Sequence, residues 1–93
     1  MEQVRVTGVI GLPGILVRVK LFASLRRHRP ASAAGPDFVQ SLTSGSTVEA
    51  LLEQLGINGA EAAIVLAGGE RRDPGYPLKD GDEVAIFPPM GGG

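Results

Sequence analysis

Apolar side chains recur along this chain with two periods, and the switch between them separates strands from helix. From Ile15 to Phe22 the residues Ile15, Val17, Val19 and Leu21 alternate with Leu16, Arg18, Lys20 and Phe22. Successive side chains of a strand point to opposite faces, so this spacing predicts a strand with Val17, Val19 and Leu21 toward the core. Asp37 to Thr43 predicts a second strand, with Phe38, Gln40 and Leu42 sharing one face. The period then lengthens. Val48, Leu51, Leu52 and Leu55 recur at helical spacing behind Thr47, whose hydroxyl suits the cap of a first helical turn. Glu49 and Glu53 fall near the positive helix end or on the exposed face. Gly56 ends the helix in the manner of a left-handed cap.

Ala62 to Ala67 is a short apolar run that reads as a buried strand, followed by a turn at Gly68-Gly69 and a short edge strand within Glu70 to Asp73. Pro74 and Pro77 bracket a turn that forbids regular pairing. Leu78 is expected to tuck inward. Lys79-Asp80-Gly81-Asp82 is a tight turn, because Asp-Gly accepts the positive φ such turns need. Glu83 to Phe87 is the last strand, with Val84 and Ile86 on one face and Ala85 and Phe87 on the other. Pro88-Pro89 stops further pairing and stiffens the exit. Between the first two strands, Ala23 to Pro36 is a long loop with room for one helical turn around Ser24 to Arg29.

The first two strands can form a hairpin, the helix can cross over one sheet face, and the first and last strands can lie side by side in the middle. That order predicts an α+β fold of β-grasp type, a mixed sheet of four to five strands with one main helix packed on one face. Residues 1–16 fit this plan least. Val4, Val6 and Val9 hint at an extra edge strand, whereas Gly8, Gly11, Pro13 and Gly14 are poor strand residues. The favoured division is an N-terminal extension over 1–16, a β-grasp domain over 17–89 and a glycine tail over 90–93.

Composition narrows the chemistry. The 93 residues make one domain whose folding hides roughly 60–65% of the unfolded surface, leaving little room for a deep internal active site. There is no cysteine, which excludes disulfides, thiolate catalysis and cysteine-ligated metals. The single histidine, His28, has no carboxylate cluster at ligand spacing, so no metal site and no bound cofactor are expected. Charge is divided unevenly: residues 1–46 hold six basic and two acidic side chains, residues 47–93 three basic and eight acidic ones. This asymmetry suits docking to a partner of complementary potential, and it is equally what a mixed solvated surface looks like. Basic residues form no long run and aromatics make up only 4% of the chain, which argues against nucleic acid. The apolar run from Val9 to Val17 is broken by Pro13, and Glu2 stands where a signal peptide carries basic charge. Neither a signal peptide nor a membrane span is expected, and the expected location is the cytoplasm.

The stretch from Leu78 to Gly93, LKDGDEVAIFPPMGGG, resembles the end of the ubiquitin-like sulfur-carrier family, which includes the small subunit of molybdopterin synthase (MoaD) and the thiamine sulfur carrier (ThiS). Val17 to Arg26 is similar to that family's first strand, and Thr47 to Leu52 to its helix start. The Phe87-Pro88-Pro89 portion is more typical of the molybdopterin branch. The resemblance implies that the Gly93 carboxylate is adenylated by an E1-like partner using ATP and converted by a sulfur donor protein to a thiocarboxylate. It implies Gly93 and Gly92 as the reactive end, with Phe87, Pro88, Pro89, Met90 and Gly91 contacting partners, among them the larger molybdopterin synthase subunit. In this scheme the chain alone is not catalytic; it supplies the reactive group. The resemblance leaves open the thiamine route, another sulfur pathway, and a ubiquitin-like modifier that forms isopeptide bonds. An inert chain end would also be glycine-rich, and the matching turn and strand directly upstream argue against that.

Phe87 and Met90 flank the tail. Exposed, they would anchor a partner; alternatively Phe87 covers the open sheet face. Arg26, Arg27, His28 and Arg29 read either as a docking patch or as a solvated loop. Gly68-Gly69 lacks the Gly-Lys-Ser/Thr that a phosphate loop requires.

Overall fold

A computed structural model of the chain describes residues 14–33 and 35–89. The N-terminal stretch weighed above as extension or edge strand lies outside these up to residue 13, as do Met90, Gly91, Gly92 and Gly93. Alternation from Ile15 onward forms β1, Gly14–Leu21, with Ile15, Val17, Val19 and Leu21 buried and Leu16 and Arg18 exposed. The strand therefore starts within the stretch read above as extension. A 3-10 helix, Ala23–His28, follows and is pinned by buried Leu25. Next come β2, Asp37–Thr43, and the helix α1, Val48–Leu55. The chain then forms β3, Ile64–Ala67, β4, Glu70–Arg71, and β5, Glu83–Phe87.

The five strands make one sheet in the order β2-β1-β5-β3-β4. β1 pairs antiparallel with β2 and parallel with β5, and β3 pairs antiparallel with both β5 and β4. This is the expected α+β, β-grasp arrangement, with the first and last strands central. The core lies between the sheet and α1. Val17, Val19, Val84 and Ile86 from the central strands meet Val48, Leu51 and Leu52 of the helix, and Leu78 tucks in beside them.

Local chemistry fixes the helix ends. The Thr47 hydroxyl accepts from the Ala50 N–H at 3.2 Å. The Val48 and Glu49 N–H groups donate to the carbonyls of Tyr76 and Pro74, so the donors of the first turn are answered by the loop before β5. Gly56 adopts φ +75°, and the Gly56 and Ile57 N–H groups return to Glu53 and Leu52. Gly81, at φ +87°, reverses the chain into β5 and donates to the Leu16 carbonyl at 2.8 Å.

Candidate functional site: the end of the central strand

β5 is the strand from which the C-terminal residues continue, and the sheet holds it from both sides. Val84 and Ile86 are fully buried toward α1, whereas Ala85 and Phe87 lie half-buried on the open face. Parallel pairing aligns the ends of β1 and β5: Leu21 registers with Ile86, and the Phe22 N–H donates to the Ile86 carbonyl at 3.1 Å. Strand alternation then brings the Phe22 and Phe87 rings together on the open face, stacked with centroids 4.3 Å apart and 12° between planes. On the other side Phe87 registers with Ile64, which is 38% exposed. The strand thus ends in an apolar row, Ile64, Phe87 and Phe22.

Beyond Phe87 the two prolines differ. Pro88 is buried, so it anchors the exit in the fold, and Pro89 is exposed. Both readings of Phe87 have a physical basis here: it covers part of the open face and, with Phe22, leaves ring surface at the exit. Phe22 and Ile64 were not picked out as site residues by sequence. Their partnership with Phe87 depends on the register between strands distant in sequence, although the alternation of β1 does assign Phe22 to the open face.

The chain leaves β1 toward the 3-10 helix through Ala23, at φ +53°. A left-handed alanine costs about 1–2 kcal/mol, so the packing of Phe22 and Leu25 on either side overrides a local preference. The 3-10 helix carries Arg26, Arg27 and His28 in its last turn. Arg26, Arg27 and Arg29 are exposed and His28 is half-buried; Arg27 pairs with Glu61, and His28 Nε2 lies 3.5 Å from the same carboxylate. Glu61 also accepts from the Asn58 N–H. That hydrogen bond, with the positive charge of Arg27 and proximity to His28, holds the Glu61 carboxyl below its ordinary value. These contacts tie the 3-10 helix to the loop after α1, whereas Arg26 and Arg29 have no ion-pair partner among the described residues.

Among the described residues no group of three or more histidine, cysteine or acidic side chains is placed to hold a metal. No described helix is long and apolar enough to cross a membrane. Lys79 precedes β5, at the opposite end of the strand from Phe87, and its Nζ lies 5.9 Å from the Tyr76 ring centre. Gly68 and Gly69, at φ +64° and +82°, close the hairpin between β3 and β4 as a turn. A cleft of about 490 Å³ lies on the helix side, between α1 and Arg71–Pro74, and shares no residue with the exit.

Known proteins share this framework. The model of the ThiS family matches residues 19–93. The molybdopterin synthase sulfur carrier subunit of Escherichia coli (strain K12) is 31% identical over 86 residues, covering 84% of this chain and all of that protein. The small archaeal modifier protein 1 of Haloferax volcanii superimposes with a TM-score of 0.62 at 27% identity, over 82% of this chain and 99% of that one. A chain from the complex of subunits 1 and 2 of the Helicobacter pylori molybdopterin-converting factor shares the fold, with a TM-score of 0.52 at 20% identity, over 85% of this chain and all of that one. The buried central strand, the Asp-Gly turn before it and the family match that runs to Gly93 together establish that this chain belongs to the ThiS family.

Proposed function

We propose that the chain is a sulfur carrier whose reactive group is the Gly93 carboxylate, and that it serves as the small subunit of a molybdopterin synthase. The observation that carries this reading is the continuity of Met90-Gly91-Gly92-Gly93 with a central strand anchored on both sides, in a chain whose family match extends to the last glycine.

A carboxylate is a poor electrophile. In the first step a Gly93 carboxylate oxygen attacks the α-phosphate of ATP in an E1-like partner, giving the acyl-adenylate and releasing pyrophosphate. Sulfur at the sulfide level, delivered by a sulfur donor protein, then attacks the acyl carbon; the C–S bond forms, the C–O bond to AMP breaks, AMP leaves, and the terminus is a thiocarboxylate. The larger synthase subunit receives the tail and takes the sulfur into the molybdopterin precursor. With no cysteine in the chain, carried sulfur has no side-chain thiol to reside on. Glycines suit a narrow channel because they lack side chains and tolerate unusual φ/ψ. Ordering them on binding costs entropy, and the fixed φ of Pro88 and Pro89 limits how much of the exit must be ordered. Phe87, Pro89, Met90 and Gly91 meet the partner, while Pro88 holds the exit from within. ATP belongs to the partner, and the activity is cytoplasmic.

Removing Gly92 and Gly93 tests the reading. Sulfur transfer is lost while the melting curve is unchanged; transfer that survives the truncation overturns it. Similarity to an archaeal modifier protein supports a second use of the same end, in which a protein lysine rather than a sulfur donor displaces AMP. Conjugates that require Gly93 in the native host would reveal it.

A further inference from the structure

The two edges of the sheet are built differently. At one edge β4 is only two residues long, Glu70–Arg71, both charged and exposed, with Asp73-Pro74 just beyond. Short, charged edges followed by proline resist further pairing. At the other edge β2 runs for seven residues without lysine, arginine or proline, and its single charge is Asp37 at the first position.

Hydrogen bonding shows which backbone groups of β2 face away from β1, with no strand paired to them among the described residues. The Arg18 and Phe22 N–H groups donate to Asp82 and Ile86, and the Leu16 carbonyl accepts from Gly81, so even-numbered residues of β1 face β5. Odd-numbered residues of β1 therefore face β2. In the register that joins Val17 to Gln40 and Val19 to Phe38, they consume the even-numbered residues of β2. Val39 and Ser41, in the middle of the strand, turn their N–H and C=O groups outward. The Ser41 carbonyl accordingly meets side-chain amides, those of Gln40 and Gln54, each at a long 3.3 Å. Apolar surface gathers at the same edge. Leu16 and Val39, each 54% exposed, are diagonal neighbours on the open face, since Leu16 registers with Ser41 and Arg18 with Val39.

We propose that β2 is a self-association edge, on which two copies of this chain pair β2 to β2, antiparallel, about a twofold axis at Gln40. The second copy is favoured because the edge is its own complement. Antiparallel pairing about Gln40 sets the outward groups of Val39 opposite those of Ser41 of the second copy. It sets Asp37 opposite Thr43, with no like charges facing, and on the helix side it sets Phe38 opposite Leu42. The outward N–H and C=O groups of Val39 and Ser41 then pair across the axis, the Ser41 carbonyl exchanging its two long side-chain contacts for a backbone one, and the two sheets become one. Because β5 runs opposite to β2, the two Phe87 exits point to opposite ends of the joined sheet, and each tail stays available to its own partner. One strand pair is a small interface, so dissociation falls in roughly the micromolar-to-millimolar range.

The test uses the full chain, with sedimentation velocity and amide hydrogen exchange between about 10 μM and 1 mM. The dimer fraction rises with concentration, and exchange at the Val39 and Ser41 amides slows in step. Val39→Lys places charge at an exposed edge position, and Ser41→Pro removes only an outward N–H. Each weakens association at least about tenfold, with unchanged circular dichroism. A monomer at every concentration overturns the proposal. So does a dimer that Val39→Lys leaves intact. So does slow exchange at Val39 and Ser41 that is independent of concentration, which would mean that another part of the same chain covers the edge. Should Ser41→Pro unfold, Val39→Lys and the wild-type exchange decide.

Discussion

The stacked pair at the end of β5 is the feature of the site whose energy can be worked out from geometry. Replacing Phe22 by alanine removes a ring lying 4.3 Å from Phe87 at 12° between planes. Burying a whole phenylalanine side chain stabilises by about 1.5–3 kcal/mol, and Phe22 is half-buried, so loss of burial costs about 1 kcal/mol. The aromatic contact adds about 0.5–1.5 kcal/mol. The ring rests on the open face, so its removal opens no enclosed cavity, and the total is about 2 kcal/mol. For a domain of this size that lowers the melting temperature by roughly 8–16 °C. A double-mutant cycle with Phe87→Ala isolates the stack, and denaturant titration of the four proteins should give a coupling of about 0.5–1.5 kcal/mol. Effects that add within about 0.3 kcal/mol would refute the claim that the two rings act as a unit. Phe22→Ala is also expected to raise the KM for tail activation more than it lowers kcat, because the exit loses its support while the terminal carboxylate is untouched.

Other perturbations test the framework that holds this strand. Thr47→Ala removes the hydroxyl that accepts from Ala50 and should cost about 1 kcal/mol in denaturant unfolding, while Thr47→Ser retains most of it. Gly81→Ala forces a side chain into φ +87°, with no atom within 4 Å of the added carbon, so its cost of about 1–2 kcal/mol is backbone strain alone. Glu61 has a lowered folded-state pKa, so its contribution is present above the ordinary value of 4.5 and is lost as pH falls through the folded value. Glu61→Gln should therefore be less stable than wild type at neutral pH, and the two stability curves should converge once the pH has fallen through the lowered folded-state value.

Much of the fold was legible because its signals are local. Thr47 and Gly56 mark the two caps of α1, and β2 and β5 begin and end where Asp37, Thr43, Glu83 and Phe87 suggest. Alternation and capping depend only on neighbours in the chain. β3 starts two residues later than the apolar run Ala62 to Ala67 suggests. Ala62 and Ala63 are apolar, yet they belong to a turn region in which Asn58 accepts from Ala60 and Glu61 and Gly59 from Ala62. Composition alone does not separate that turn from a strand. The site was legible in part. Phe87 and the prolines follow from the pattern at the end of β5, but the partner ring of Phe22 requires the parallel register of β1 and β5. The Arg27–Glu61 pair spans 34 residues, and nothing near Arg27 in sequence distinguishes it from its equally exposed neighbour Arg26. Pro88 and Pro89 look alike as a dipeptide, and only packing makes one an anchor and leaves the other exposed.

The central claim concerns the terminal carboxylate, and intact mass measures it most directly. The chain would be incubated with its E1-like partner, ATP and the sulfur donor, and fragments containing Gly93 would then be weighed. The account predicts a gain equal to one oxygen replaced by sulfur, confined to the fragment ending at Gly93 and absent without ATP. An unmodified terminus under conditions that activate a known carrier, or sulfur found elsewhere in the chain, would contradict it.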